Sequence, residues 1–229
     1  KVAVANCSAA RAGHDHVLKI HSNLSLPLSL SSNKTRKMFI SGHEAIALGA
    51  LAAGCQFYAA YPMSPATSIL TYLAGKAHDF SLVVEQPEDE IAAINMAIGA
   101  SCVGLRSMTA TSGGGFSLMV ETLGLAGIAE IPLVLVESQR PGPATGLATR
   151  TEQADLRFVI HAAQGEFPRV VLAPGTAREA FYLTIKAFQI ADEYQMPVII
   201  LTDQYLADSC FTEERFTFDH MMNKRFFSE

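Results

Sequence analysis

Two kinds of apolar run alternate along most of the chain. Leu133-Val134-Leu135-Val136 and Val198-Ile199-Ile200-Leu201 are short and apolar at every position, the pattern of strands buried on both faces. Between such runs lie longer stretches with helical spacing, several made largely of Ala, Gly and Ile. Read from Met38 onward, the pattern predicts helices over 45–53, 66–77, 88–103, 116–129, 155–163 and 177–194. It predicts strands over 57–61, 81–85, 106–111, 132–137, 169–172 and 197–202. Ser41 followed three residues later by Glu44 forms a capping box for the first helix, and Gly54 closes it. Regular strand–helix alternation with two-sided apolar strands defines an α/β fold: a doubly wound, mostly parallel sheet of about six strands with helices on both faces.

In such sheets ligands bind beyond the carboxyl ends of the strands. Four segments fall there: Tyr61-Pro62-Met63-Ser64-Pro65, 86–90, 111–116 and 139–146. They are rich in Pro, Gly, Ser and acidic residues, so one rim of the sheet is the expected site.

Residues 1–36 differ. They are rich in Ser, Asn and His, lack a sustained period, and read as a linker or the remnant of something upstream; 24–30 alternates like a stray strand. The α/β domain is then 37–208, and 209–229 reads as the start of a truncated C-terminal region.

Composition narrows the function. Hydrophobic residues make up 49% of the 229 and charged residues only 17%, so a core is easily built and part of the surface is expected to lie against a partner. The net charge is −5, with no basic cluster beyond 34–37, which argues against nucleic acid. Cys7, Cys55, Cys102 and Cys210 form no CxxC pair. That speaks against a disulfide framework or a self-contained metal or iron–sulfur site and fits a reducing cytoplasm. No run approaches the ~20 apolar residues of a membrane span.

Candidate chemistry lies in the loops. Glu88-Asp89-Glu90 opens the third predicted helix; acids there complement the helix dipole. The helix behind them is mostly Ala, Gly and Ile, so it packs closely, and a carboxylate at its mouth is partly stripped of water and suited to proton exchange. Ser112-Gly113-Gly114-Gly115 is read as a tight turn, a phosphate cradle, or a place where backbone approaches a flat ring. It lacks the Walker lysine and the dinucleotide spacing. Arg140, followed by Pro141 and Pro143, opens a long loop and suits a bidentate grip on a carboxylate. Thr111-Ser112-Gly113 is not a nucleophile elbow, and neither His43 nor His161 has an acid partner evident in the sequence.

Taken together these segments resemble the alpha subunit of 2-oxoacid:ferredoxin oxidoreductases. The matching stretches are Glu44-Ala45-Ile46-Ala47-Leu48-Gly49-Ala50, the Tyr61–Pro65 segment, Glu88-Asp89-Glu90-Ile91-Ala92-Ala93-Ile94-Asn95, Thr109 through Met119, and Gln139-Arg140-Pro141-Gly142-Pro143-Ala144-Thr145-Gly146. The resemblance covers about 38–208 with order and spacing kept. It implies a domain that grips the aminopyrimidine of thiamine diphosphate in an enzyme of the pyruvate or 2-oxoglutarate type. Such an enzyme oxidatively decarboxylates a 2-oxo acid to an acyl-CoA.

The resemblance carries residue roles as well. Glu90 matches the glutamate that hydrogen-bonds N1′ of the pyrimidine and so helps to deprotonate the thiazolium C2. Pro62, Gly113, Gly114 and Phe116 fall in cofactor-binding segments. Ser64 and Arg140 match the substrate-binding positions, with Arg140 on the carboxylate. No metal ligands are implied on this chain: Mg2+, the diphosphate site and a [4Fe-4S] cluster are expected on a beta subunit, with ferredoxin as acceptor, in a heterodimer or a dimer of heterodimers. The sequence departs from the family's pattern at Ser64, where Thr is common, at His43, where Asn is usual, and at Ala148 and Ala154, where Pro and Gly are usual. Two alternatives stand beside this reading: the pyrimidine-binding domain of another thiamine-diphosphate enzyme, and a non-catalytic α/β assembly module.

Overall fold

The fold was established from a computed structural model, which describes residues 2–21 and 35–217. Contacts divide the chain into residues 1–35 and residues 36–229. In the first unit a helix forms where the sequence pattern predicts none: α1 (Val2–Ile20), every residue of which is exposed. With no face to bury, it carries no apolar stripe to announce it, and the helix rests on residues such as Ala3, Ala5, Ala9, Ala10 and Ala12, whose intrinsic preference is helical. The strand-like stretch at 24–30 lies outside the described residues.

In the second unit β1 (Met38–Ser41) leads into α2 (Gly42–Ala52). Ser41 and Glu44 form the capping box reciprocally: the Glu44 N–H donates to Ser41 Oγ at 3.2 Å, and the Ser41 N–H donates to Glu44 Oε2 at 2.8 Å. There follow β2 (Phe57–Ala59), α3 (Thr67–Phe80), β3 (Val83–Glu85), α4 (Glu90–Cys102), β4 (Ser107–Thr111), α5 (Gly113–Ile128) and β5 (Leu133–Gln139). After the long loop come α6 (Leu156–Ile160), β6 (Val170–Leu172), α7 (Ala177–Tyr194), β7 (Pro197–Asp203), α8 (Gln204–Asp208) and β8 (Cys210–Glu213). The last strand returns to pair antiparallel with β1, a two-stranded sheet absent from the sequence reading.

The main sheet has six strands in the order β3-β2-β4-β5-β7-β6, and every pairing is parallel. The continuous apolar runs are explained by the two layers they serve. Val134, Val136, Val198 and Ile200 join the core under α2, α3 and α7; Leu133, Leu135, Ile199 and Leu201 join the core under α4, α5 and α6. Alternate residues of one strand thus face opposite helical layers. Arg106, just ahead of β4, is buried beneath α7, where its Nε donates to Asp192 Oδ2 at 2.8 Å and a guanidinium nitrogen donates to the Ala53 carbonyl. Because all six strands run the same way, their carboxyl ends lie along one rim.

Candidate active site

The acidic triplet separates into three environments. Glu88 is exposed, and Asp89 is the N-cap of α4, accepting from the Ala92 N–H at 2.7 Å. The helix end is therefore served by Asp89, and Glu90 turns inward at only 3% exposure. Among the described residues no donor meets Glu90 Oε1, a buried acceptor atom.

Glu90 lies against the start of α5. The three glycines are not a turn. They are the first turn of that helix, following Ser112 as N-cap. Gly115 is where they matter most: a methyl group there would lie 2.1 Å from Thr111 Oγ1, 2.6 Å from Glu90 Oε1 and 2.8 Å from Glu90 Cγ. Only a residue without Cβ lets the carboxyl and the helix approach so closely. The Ser112 hydroxyl, also buried, makes no cap and meets no partner among the described residues. Next in sequence, Phe116 points elsewhere. Its ring is fully buried in the core and packs edge-on against Phe158, with centroids 5.0 Å apart, so its side chain contributes packing.

The other two segments meet each other at Arg140 and Ser64. Arg140 donates through Nη1 to the Ser64 carbonyl at 2.7 Å, and among the described residues its buried Nε meets no partner. The Ser64 residue is itself exposed, and Pro62 is half-buried beside it. Met63 Sδ accepts from Thr111 Oγ1 at 3.8 Å, which ties this segment to the end of β4. Past Arg140 the chain folds tightly: the Leu147 N–H donates to the Pro141 carbonyl at 3.0 Å, and a Cβ at Gly146 would sit 1.7 Å from that same oxygen, with a left-handed φ of 55°. Between this loop and the glycine turn of α5 lies a cleft of about 370 Å³, lined among others by Gly113, Gly114, Arg140, Pro143 and Asp155. Ser64, Glu90, Gly114 and Arg140 thus occupy one continuous rim.

Three residues of this rim have surroundings that the sequence did not reveal. His43 is wholly buried and links three site elements: its Nδ1 lies 2.9 Å from Ser68 Oγ and its Nε2 3.1 Å from Ser138 Oγ. Burial pushes its imidazole down to about 4, outweighing the opposing effect of the Pro65 carbonyl, which accepts from the protonated ring, and the pull of Asp208 and Asp203. Glu137, at the end of β5, is also wholly buried, and burial holds its carboxyl well above the usual carboxylate range, with Asp155 beside it adding to the effect. The third, Gln139, accepts from the Asp155 N–H at 3.0 Å and donates to the Thr202 carbonyl at 3.2 Å. An acid inside an otherwise apolar strand was the visible clue to Glu137. Nothing in sequence pairs His43 with residues 25 and 95 positions away.

The parallel six-stranded sheet with helices on both faces, its rim carrying Glu90 and Arg140, defines a domain of the doubly wound α/β class. Residues 48–224 match the family described as pyruvate flavodoxin/ferredoxin oxidoreductase, thiamine diphosphate-binding. The chain belongs to that family. It is 46% identical over 197 residues to a 2-oxoacid:ferredoxin oxidoreductase subunit alpha of Sulfurisphaera tokodaii, covering 81% of this chain and 31% of that protein. It is 46% identical over 165 residues to the 2-oxoglutarate synthase subunit KorA of Archaeoglobus fulgidus, covering 72% of this chain and 48% of that one. Among solved structures, a 2-oxoglutarate:ferredoxin oxidoreductase from Magnetococcus marinus, with 2-oxoglutarate, coenzyme A and succinyl-CoA bound, superimposes with a TM-score of 0.80 at 39% identity. That match covers 84% of this chain and 34% of the other. The chain therefore spans less than half the length of each of these relatives. Among the described residues no helix is long and apolar enough to cross a membrane, and no cluster of side chains has the make-up of a metal site.

Proposed function

We propose that this chain is the pyrimidine-binding part of a 2-oxoacid:ferredoxin oxidoreductase alpha subunit, acting in the cytoplasm on a 2-oxo acid, coenzyme A and ferredoxin. The observation that carries the reading is Glu90: a carboxyl 3% exposed, with Oε1 lacking any partner and packed on Gly115. A buried acceptor without a donor is costly unless a ligand supplies one, and a protonated ring nitrogen would supply it. The residues present fit thiamine diphosphate, whose thiazolium carbon is the nucleophile for a 2-oxo acid when the cofactor is bound. On this chain Glu90 holds or releases the proton at N1′. Gly113 and Gly114 leave room beside the ring. Arg140, braced by the Ser64 carbonyl, offers its free Nε to the substrate carboxylate, and the exposed Ser64 hydroxyl stands next to it.

The cofactor's diphosphate, Mg2+ and a [4Fe-4S] cluster belong, in this reading, to a beta subunit docked over the rim, in a heterodimer or a dimer of heterodimers. A non-catalytic assembly module gives no account of Glu90, set at the ligand rim against Gly115 with Oε1 open. The test is hydrogen–deuterium exchange at the thiazolium C2 in the complex assembled with its partner subunit. Glu90→Gln keeps the size of the side chain and removes its proton exchange, and the rate should fall about 10²–10⁴-fold, the usual contribution of a general acid–base group. Exposed Glu88→Gln should change it little. Near-normal exchange in Glu90→Gln would overturn the assignment.

A further inference from the structure

Glu137 and Asp155 form a second acidic feature of this rim. Glu137 sits at the end of β5 with no exposure, and among the described residues no donor reaches either of its carboxyl oxygens. Its flanking partners across the sheet are Thr111 on β4 and Leu201 on β7, neither of them charged. The group that does stand beside it is another acid, Asp155, at the far end of the Arg140 loop: its N–H donates to Gln139 Oε1, two residues further along β5, and its Oδ2 lies against Gly113, two residues past Thr111, the strand partner of Glu137. Two carboxylates cannot satisfy one another, since both only accept. One proton between them turns the repulsion into a short, charge-assisted hydrogen bond.

The geometry says which acid keeps the charge. Asp155 Oδ2 lies beside Gly113, so close that a Cβ there would approach to 2.8 Å. That places it at the N-terminus of α5, where negative charge is favoured. Glu137, deeper, keeps the proton. The remaining charged groups are few: Glu152 acts on Asp155 and opposes its ionisation, Arg140 lines the same cleft, and Glu90 lies on the far side of the α5 glycines, against Gly115. Asp203 on β7 is occupied by the Gln153 side chain and the Leu206 N–H.

Asp155 also ends the Arg140 loop. Its N–H is held by Gln139 Oε1 at 3.0 Å, it precedes α6, and Gln153 just before it is tied to Asp203, so the Asp155 carboxyl lies where the 140–153 loop meets the sheet. We propose that Glu137 and Asp155 share one proton, and that this proton latches the Arg140 loop to β5 and holds the cleft in its binding shape. The pair acts by positioning Arg140 and the loop prolines, and it rests on the reading of this rim as the substrate site. Burial raises both carboxyls, so the shared proton is kept on the acid side and lost as pH rises, when two adjacent carboxylates push the loop end from the sheet.

Two measurements on the full-length protein assembled with its partner, without substrate or cofactor, test this. The infrared difference between wild type and Glu137→Gln at neutral pH should contain the C=O stretch of a protonated carboxyl. A difference showing only ionised carboxylate would overturn the shared proton. Hydrogen exchange over 141–153, referred to intrinsic rates, should lose about tenfold or more of its protection in the wild type as pH rises, the ratio carried by one hydrogen bond to a charged group. In Glu137→Gln, whose amide donates at any pH, protection should stay level. Protection that falls alike in both proteins, or in neither, would overturn the latch. If Glu137→Gln does not assemble, Asp155→Asn, whose amide also donates at any pH, serves for the exchange readout, and in the infrared difference it should shift the protonated Glu137 C=O stretch rather than remove it; no change in that region would overturn the shared proton. Neither readout depends on which reaction the site performs, so failure of the thiamine assignment would show in the C2 exchange experiment and leave these results standing.

Discussion

Gly115→Ala separates the needs of the helix from those of the site. Alanine is the better helix former, and by propensity alone the change should stabilise α5 by about 1 kcal/mol. The added methyl, however, would lie 2.1 Å from Thr111 Oγ1 and 2.6 Å from Glu90 Oε1. Overpacking of this kind in a close-packed interior costs about 1–3 kcal/mol, so the net change in stability is a loss of about 0–2 kcal/mol. The Glu90 carboxyl has to withdraw because β4 and the helix cannot. A shift near 1 Å in a catalytic group can cost about 10²-fold in rate. The expected result is a small drop in the unfolding midpoint together with about 10²-fold slower proton exchange at the thiazolium C2 of the assembled enzyme. Gly75→Ala in α3 is the control: it is helical, exposed, and has nothing within 4 Å of the added methyl, so it should gain about 0.5–1 kcal/mol and leave exchange unchanged. If Gly115→Ala behaved like Gly75→Ala in both measurements, the close approach of Glu90 to α5 would be refuted.

Two further outcomes test the frame around the site. Asp192→Ala leaves the Arg106 guanidinium buried without its 2.8 Å partner and should cost about 3–5 kcal/mol in urea unfolding, whereas replacing both residues together by apolar ones of similar volume should cost much less. His43 is held down at about 4, from an ordinary 6.5, so across that window only the unfolded chain takes up its proton. Stability should therefore rise with pH between those values and fall as acid is added, by on the order of 3 kcal/mol from this group. His43→Asn should flatten that part of the acid-unfolding curve.

Much of this protein was determined by sequence alone, wherever the information is local. The two-sided apolar runs required a parallel sheet between helical layers, because alternate residues of one strand need cover on both sides. The Ser41 and Glu44 capping box and α7 (Ala177–Tyr194) followed from neighbours within four residues of one another. The five ordered segments placed Glu90, Ser64 and Arg140 at strand ends, and parallel strands put those ends on one rim. Tertiary structure decided what depends on distant partners. Acidity marks Glu88, Asp89 and Glu90 equally; their surroundings make one exposed, one a cap and one a buried acceptor. The glycines, open in the sequence to a tight turn, a phosphate cradle or a close approach to a flat ring, form the first turn of α5, and Gly115 is constrained by Thr111 and by Glu90, 25 positions earlier in the sequence. The ring of Phe116 went to the core, β8 returned to β1, and Glu137 met Asp155 across a loop. Burial and charge pairing are properties of the packed interior, where a group's neighbours come from several elements at once, and a linear pattern records only the element to which each residue belongs.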